Sequence, residues 1–465
     1  MKIAKMTKTI SALRDVYRQK GFQAASMLIF NSLSWYFPLF ILFSNAITQL
    51  NVGNSQIILI FGFHYLAILS SALLGNNLIE KIGRNKLLSI WVILGACATA
   101  LMLLISSSEV PVIYAISILL GLSLGLGFPS CLAYFGDNSA SERRGLIGGV
   151  TFALTFVAIM VGGLLSTMTT LAISVIGFSL WRLMGLVFVP LSRQEQTISQ
   201  TTHRQAKVPY LEIIKERSFL LYLVPWIIFC IINFFQAPFF DSQLETKWLG
   251  SDLSYLISFG EFGIGAISML VGGYLSDRIG RKRVIIAAFA MVGVGYALLT
   301  FASSYEIVFY SYVVLDGIAW GIFFLMFLLV IWGDLAQSRV KNRYFLIGNM
   351  PFILSSYITP IVRPYISSGD KPIIPIYTAF SFASFFLFMA VIPLMVAPET
   401  LSEKVIKDQD LKGYAERAFK QAMKETKKAQ KKNPHEPDSK NEEPQEETEE
   451  SPEDKKAREL AEKYY

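Results

Sequence analysis

The chain of 465 residues is 53% hydrophobic and only 17% charged, whereas a typical soluble domain has about 25% charged residues. This composition excludes an ordinary water-soluble fold, because so much apolar surface can be hidden only in lipid. The net charge of +7 is spread over short loops, so we expect no nucleic-acid partner. The three cysteines stand in apolar runs without metal-ligand spacing, and we expect neither a metal nor another cofactor.

The predicted elements begin with a basic N-terminal segment, residues 1–26, followed by an apolar run that we expect to be retained as the first span. The chain then contains further windows of about 20 mostly apolar residues, long enough to cross the bilayer core. The twelve predicted spans are 27–47, 56–78, 87–107, 110–133, 145–168, 170–190, 219–240, 253–275, 284–303, 306–331, 344–366 and 374–397.

Basic residues alternate between the two sides of these spans. Loops on the side of residues 79–86 hold seventeen Lys and Arg, whereas the opposite loops hold three. Because basic loops stay on the cytoplasmic side, we expect both termini and the linker 191–218 in the cytoplasm of a multi-pass plasma-membrane protein. The regular alternation also favours an even number of spans.

The segment after the last span, residues 398–465, is strongly charged. Its part 403–432 is rich in Lys, Ala, Glu and Gln and predicts a helix that rests on anionic lipid headgroups or lies in solvent. The part 433–454 combines four prolines with many glutamates, and we expect it to be disordered.

The two halves of the chain repeat each other. Residues 75–86 resemble residues 272–283 at an offset of 197, and Gly136-Asp137 recurs as Gly333-Asp334 at the same offset. Two related bundles with a site between them can rock about that site, which is a route to alternating access. The predicted domains are the N-terminal segment 1–26, a six-helix bundle 27–190, the linker 191–218, a six-helix bundle 219–397 and the tail 398–465.

The second copy of the repeat resembles the short loop between the second and third spans of the major facilitator superfamily of transporters. The matching residues are Gly273, Asp277, Arg278, Gly280, Arg281 and Lys282. The first copy departs from that pattern at Asn76 and Glu80, and Ala397-Pro-Glu-Thr-Leu401 is similar to the end of the last span in sugar-porter-like members. Covering about residues 27–400, the resemblance implies an all-α membrane protein with twelve transmembrane helices in two pseudo-symmetric six-helix bundles.

Charges at the helix ends beside these loops form a second expected feature. Gly83 and Gly280 permit tight turns, and carboxylates and guanidinium groups at helix ends can pair across the halves in one state and separate in the other. The resemblance implies that they form a cytoplasmic gate, although the basic members could instead only fix topology. The expected gate residues are Glu80, Gly83, Arg84, Asp137, Arg144, Gly273, Asp277, Arg278, Gly280, Arg281, Asp334 and Arg343.

Four ionisable residues are predicted at mid-membrane depth, where a charge is costly and usually faces a cavity. They are Glu261, Asp316, Arg182 and His64. In a simple scheme Arg182 pairs with Glu261 or Asp316 while no solute is bound, and one of these acids carries a proton. Alternatively, Arg182 extends to the headgroups and His64 donates a hydrogen bond between helices.

Polar and aromatic residues of the first and seventh spans supplement this set. Asn31 and Trp35 lie in the first span, and Asn233 and Gln236 lie in the seventh. Amides flanked by aromatic rings suit a hydroxylated or amphipathic organic solute, but amides also join neighbouring membrane helices.

We therefore expect a monomeric transporter that carries a small organic solute across the lipid bilayer, either by facilitation or coupled to protons. The alternatives are an efflux antiporter for drugs or metabolites and a transporter-like sensor that signals through its tail. Proton-coupled sugar porters have an Asp in the first span and an Arg in the fourth. The first span of this chain lacks Asp and the span 110–133 lacks Arg, so the resemblance does not select a branch of the superfamily. An enzyme is not expected, because the sequence contains no nucleotide loop, metal cluster or nucleophile motif.

Overall fold

The described part of the chain comes from a computed structural model. It comprises residues 20–50, 52–107, 109–189, 208–243, 250–302, 305–336, 340–367 and 376–401. The basic segment before residue 20, most of the linker 191–218, and the tail predictions for 403–432 and 433–454 lie outside these residues.

Twelve long helical segments are present in the described residues, as the apolar windows predict, and the all-α membrane fold is confirmed. Ten are long and apolar enough to cross a membrane, and the other two are the shorter Leu171–Val187 and the 30-residue Gly250–Ile279. In chain order they are α1 Lys20–Gln49, α2 Asn54–Ile82, α3 Arg84–Ala100 with a 3₁₀ turn Leu101–Ser107, α4 Val110–Gly125 continued by Phe128–Asp137, α5 Arg144–Met168, α6 Leu171–Met184, α7 Arg217–Gln243, α8 Gly250–Ile279, α9 Arg281–Ala302, α10 Glu306–Leu325 continued through Met326–Val330 to Ile331–Leu335, α11 Lys341–Ser355 continued by Ile358–Ser367, and α12 Ile376–Met389 continued by Val391–Val396.

The outer surface of these helices is apolar. Phe301 is 89% exposed and Met168 is 82% exposed, and many other large apolar side chains face outward. In water such a surface would drive aggregation, whereas in a bilayer it meets a solvent of its own polarity.

Glycines allow the helices of each half to cross closely at equivalent positions. In the first half a Cβ added to Gly121 would overlap the carbonyl oxygen of His64, so α4 lies directly against α2. In the second half a Cβ on Gly317 would lie 3.3 Å from the carbonyl oxygen of Glu261, at the crossing of α10 and α8. His64 and Glu261 therefore occupy corresponding places in the two halves.

The pairs α5–α8 and α2–α11 are two of the places where the halves meet. A Cβ on Gly145 of α5 would lie 2.6 Å from the carbonyl oxygen of Gly273 in α8, and α5 and α8 can approach only because glycine stands there. On the other side Tyr357, in the break of α11, donates a hydrogen bond to the carbonyl oxygen of Ile58 in α2 at 2.9 Å.

Several helices are interrupted. α4 breaks at Gly127, just before Pro129, and α11 breaks shortly after Pro351. The interruption in α10 contains no proline and has another origin. Residues Met326–Val330 form a π-helical turn, and their side chains are all buried. It lies between Asp316 and Asp334, and π-helical turns within α-helices are frequent at functional sites.

Candidate functional site

Two tight turns lie at one end of the bundle. We call this end the charged face, and it carries Gly83, Asp137, Gly280 and Asp334. Gly83 has a φ of 81° and Gly280 a φ of 102°, in a region that L side chains rarely adopt. Each turn places an arginine, Arg84 or Arg281, as the first residue of the next helix.

Asp334, near the end of α10, joins the two halves. Its side chain is fully buried, and it contacts Arg144 of the first half and, at 3.1 Å, Nε of Arg281 in the second half. Ser141 Oγ donates to the Oδ1 atom of the same carboxylate at 2.9 Å. Because two guanidinium groups share this one buried carboxylate, removing it would take from Arg144 the carboxylate it is paired with and leave Arg281 to its second partner, Asp277.

Asp277, at the end of α8, caps α5 of the other half. The backbone N–H groups of Gly145 and Leu146 donate to its two carboxylate oxygens at 3.0 and 2.7 Å. A negative charge at a helix N-terminus is favourable, and Nη1 of Arg281 lies 2.6 Å from the same carboxylate. The acid predicted by the repeat thus contacts both halves.

The first half contributes an equivalent but more exposed pair. Arg84 lies 2.9 Å from Asp137, and both positions correspond to Arg281 and Asp334 at the repeat offset. Lys341 of α11 lies 3.2 Å from Asp137 and so connects this pair to the second half. Since the Asp137 side chain is 29% exposed, we expect this pair to be weaker than the buried one.

Two expected gate residues have looser surroundings. The Glu80 side chain is 49% exposed and lies 3.8 Å from Arg343 of α11, so it is far more accessible than the Asp277 side chain. Arg278 is exposed and its guanidinium lies 4.4 Å from the ring centre of Tyr274, away from Asp334.

The segment after α12 adds to the charged face an acid that the expected gate residues did not include. Glu399 accepts hydrogen bonds from the backbone N–H groups of Arg281 and Lys282 at 2.8 and 3.2 Å, and so caps α9. Thr400 Oγ1 approaches Asp334 Oδ2 at 3.4 Å. The motif around Glu399 is similar to the end of the last span in sugar-porter-like members, but a lone acid after a span does not by itself indicate which helix it caps.

A large cavity separates the two halves on the opposite side from the charged face. Its volume is about 840 Å³, and its lining reaches Thr48 at the end of α1, Asn54 at the start of α2 and Arg363 in α11. The deeper wall is aromatic and includes Tyr36 and Tyr65. We call it the central cavity, and its size is within the range of about 300–1,000 Å³ common for small-molecule sites.

A second cavity of about 280 Å³ is lined mostly by residues of the second half, and we call it the acid cavity. Glu261 of α8 and Asp316 of α10 both line it, together with Asn233 of α7. The phenols of Tyr296 and Tyr312 complete the polar part of the wall. Three residues predicted from separate spans are therefore brought to one place, whereas the two tyrosines were missed because aromatic residues occur in every span.

Three aromatic rings belong to both cavities: Phe37, Phe234 and Phe352 line each of them. The ring centres of Phe234 and Phe352 are 5.5 Å apart, and those of Phe37 and Phe352 are 6.4 Å apart. The acid cavity is thus divided from the central cavity by side chains rather than by backbone.

His64 lies behind the wall of the central cavity rather than in it. It is fully buried, with Nδ1 2.9 Å from the carbonyl oxygen of Ser117 and Nε2 2.6 Å from the hydroxyl of Tyr36. A carbonyl can only accept, so Nδ1 carries the proton and Nε2 accepts from Tyr36. This geometry matches the interpretation of His64 as a hydrogen-bonding link between helices, and it fixes the orientation of the Tyr36 hydroxyl.

Arg182 is also buried, in a place distinct from both cavities. Its guanidinium lies between the rings of Trp35 and Trp91, 4.6 and 4.2 Å from their centres. Nη1 donates to Asn31 Oδ1 at 3.0 Å and to Ser32 Oγ at 2.7 Å. The suggested ion pair with Glu261 or Asp316 is absent from the described residues, because Arg182 packs inside the first half and both acids lie in the second.

The remaining predicted polar residues have internal partners. The indole of Trp35 donates to Thr99 Oγ1 at 2.8 Å. Gln236 Nε2 donates to the carbonyl oxygen of Ala379 at 2.6 Å, whereas Asn233 Oδ1 accepts from Trp320 Nε1 at 3.0 Å within the acid cavity. Of this set, Asn233 alone lines one of the two cavities.

Comparisons with known proteins agree with this architecture. The family model described as Major Facilitator Superfamily matches residues 24–246 and 227–434, and the two matches together span most of the chain. Among the solved structures, the fold is similar to one described as the MFS proton:xylose symporter XylE bound to 6-bromo-6-deoxy-D-glucose. That likeness has a TM-score of 0.62 and 13% sequence identity, and it covers 82% of this chain and 96% of the other. A search of curated proteins found no significant match.

At 13% identity the likeness to that structure supports the fold alone. The family model, in contrast, matches the sequence of each half of the chain separately. Together with the repeated helix crossings and the paired turns at Gly83 and Gly280, these matches show that the chain belongs to the major facilitator superfamily of solute transporters.

Proposed function

We propose that the protein moves a small organic solute across the membrane by alternating access, as a secondary transporter. One observation carries the proposal: a cavity of about 840 Å³ between the halves reaches one face, while buried charges join the halves at the other. A second state, with the charged face open, requires that the contacts of Asp277, Asp334 and Lys341 with the first half separate.

The orientation follows from the basic loops. Because basic loops are retained on the cytoplasmic side, the charged face is cytoplasmic, and the central cavity reaches the outer surface of the plasma membrane. Both termini and the linker then lie in the cytoplasm.

A proton is the coupling ion that the acid cavity favours. Asp316 is 5% exposed, Glu261 lines the same aromatic-walled cavity, and the described lining of that cavity contains no basic residue. Two ionised carboxylates beside one cavity disfavour each other's charge, so at least one of the two acids should bind a proton during the cycle.

The test is flux of the solute into proteoliposomes, after a thermal-shift screen of the purified protein against a solute library has supplied a ligand. Glu261→Gln and Asp316→Asn are expected to remove the pH dependence of uptake while flux down a solute gradient continues. Glu142→Gln, an exposed acid on the charged face, is the matched control and should leave the pH profile unchanged.

Two results would count against the proposal. Binding without flux for every solute found would favour the sensor instead. Unchanged pH dependence in both acid variants would remove proton coupling through these residues but leave facilitated transport.

Efflux of apolar compounds is the second candidate function. The many aromatic side chains of the central cavity, among them Phe40, Phe61 and Phe128, favour it over carriage of a strongly hydrated solute. A proton gradient imposed in both directions separates the two, since a symporter accumulates its solute with inward protons and an antiporter expels it.

A further inference from the structure

We propose that the acid cavity binds the cationic group of an amphipathic organic cation, such as a substituted ammonium, while the apolar part of the same molecule occupies the central cavity. The inference rests on the proposed function and names its substrate class.

The first observation is an unmatched carboxylate oxygen. Asp316 is 5% exposed and lines the acid cavity, yet its Oδ1 atom has no hydrogen-bond partner among the described residues. Its neighbour Tyr312 hydrogen-bonds the carboxylate, and the buried Oδ1 atom is left as the unmatched acceptor. A buried acceptor of this kind has a preference for a donor or a positive charge supplied by a ligand.

The second observation is the charge of the surroundings. Glu261 lies in the same wall, and none of the described residues that line this cavity is basic. The corresponding place in the first half holds His64, whose two ring nitrogens are both engaged within the protein. The second half therefore contains two carboxylates, Glu261 and Asp316, in the region where the first half contains the neutral, fully hydrogen-bonded ring of His64.

The third observation is the aromatic wall. The rings around the two acids belong to Phe156, Phe234, Phe240, Phe262, Trp320 and Phe324. The indole N–H of Trp320 is already used by Asn233, which fixes the ring. Aromatic faces attract cations, and cages of aromatic rings with an acid recognise quaternary ammonium groups.

The connection between the acid cavity and the central cavity favours an amphipathic ligand. Phe37, Phe234 and Phe352 line both cavities, so a molecule whose charge lies beside Asp316 can place its apolar part against the same rings from the other side. The sole basic residue among the described lining of the central cavity is Arg363, at its outer end, so the charged group is favoured deep in the second half.

The experiment compares two probes of the same shape by calorimetric titration of the purified full-length protein in detergent. Benzyltrimethylammonium carries a charge, and neopentylbenzene is its neutral carbon isostere. We expect the cation to bind at least about tenfold more tightly, and Asp316→Asn to remove that advantage, since a hydrogen bond or contact to a charged group is worth about that much. Glu142→Gln should bind the cation as the unaltered protein does.

A second variant keeps the test decisive if Asp316→Asn does not fold. Glu261→Gln is then titrated with both probes, and loss of the preference for the cation supports the same conclusion. Equal affinity of the two probes for the unaltered protein, or an unchanged preference in folded variants of both acids, overturns the inference. Binding needs no flux, so cation binding without transport contradicts the proposed function alone, and transport of a neutral solute without cation binding contradicts this inference alone.

Discussion

At the scale of single residues, two buried arginines illustrate different uses of the same side chain. Arg144 is paired with a carboxylate across the halves, whereas the partners of Arg182 among the described residues are neutral oxygens and two indole rings. Burial of an unpaired guanidinium is costly, and here it is offset by cation–π contact and hydrogen bonds within one half.

For Arg182 we predict a structural role. Arg182→Lys keeps the charge but cannot cover both rings, so it should lower the free energy of unfolding by about 2 kcal/mol. The affinity for any transported solute should stay the same, because the residue lines neither cavity. Thermal unfolding in detergent and a binding titration measure the two effects, and a large loss of affinity in a stable variant would contradict this assignment.

For Asp334 we predict a shift between conformations. Asp334→Asn takes the carboxylate partner from buried Arg144 and one of two carboxylate partners from buried Arg281, at a cost of about 3–5 kcal/mol to the state described here. Asp137→Asn is the matched control from the other half, and its partly exposed pairs should cost about 1 kcal/mol or less. Spin labels on the two halves at the charged face, with distances measured by pulsed electron resonance, should show a wider population for the first variant. Equal distance distributions in both would mean that the buried pair does not hold this face closed.

At the scale of helices, the crossing of α5 and α8 depends on the absence of side chains. Gly145→Ala would bring a Cβ to 2.6 Å from the carbonyl oxygen of Gly273, and backbone cannot yield as a flexible side chain can. We expect α5 and α8 to separate, the Asp277 cap to weaken, and transport to fall at least about tenfold. The transport rate in proteoliposomes measures this.

The control for that change is Gly177→Ala in α6. No atom lies within 4 Å of an added Cβ there, and alanine favours the helix by up to about 1 kcal/mol. Normal transport in Gly177→Ala together with a loss in Gly145→Ala locates the effect at the crossing. Normal transport in both would show that the helices do not need this close approach.

The helices and their repeat were predictable because hydropathy and sequence offset are local properties of the chain. The turns at Gly83 and Gly280 and the positions of the acids at the charged face followed from the same repeat. The contacts of Arg182 and His64 did not, because a mid-span position does not specify which side of the helix faces a cavity. The contacts of Lys341 and Glu399 were not predicted for a related reason, since their partners Asp137 and Arg281 are distant in sequence.

At the scale of the whole molecule, the open and closed ends of the bundle predict which reagents reach which face. Asn54→Cys, in a background where Cys97, Cys131 and Cys230 are replaced by serine, should react with a membrane-impermeant thiol reagent from the outside. Glu142→Cys should react only after the membrane is permeabilised. Slower labelling of Asn54→Cys in the presence of solute would support its place in the cavity wall, and labelling of both positions from one side would contradict the topology.

The π-helical turn in α10 has a geometric consequence for the two acids that this helix carries. In an uninterrupted α-helix of about 3.6 residues per turn, Asp316 and Asp334 would lie on one side, about five turns apart. The extra residue accommodated by Met326–Val330 turns one acid roughly 100° about the axis relative to the other. Conversion of this π-helical turn to regular α-helix would rotate Asp334, which contacts Arg144 and Arg281, relative to Asp316 in the acid cavity. α10 therefore offers a mechanical connection between the acid cavity and the ion pairs of the charged face.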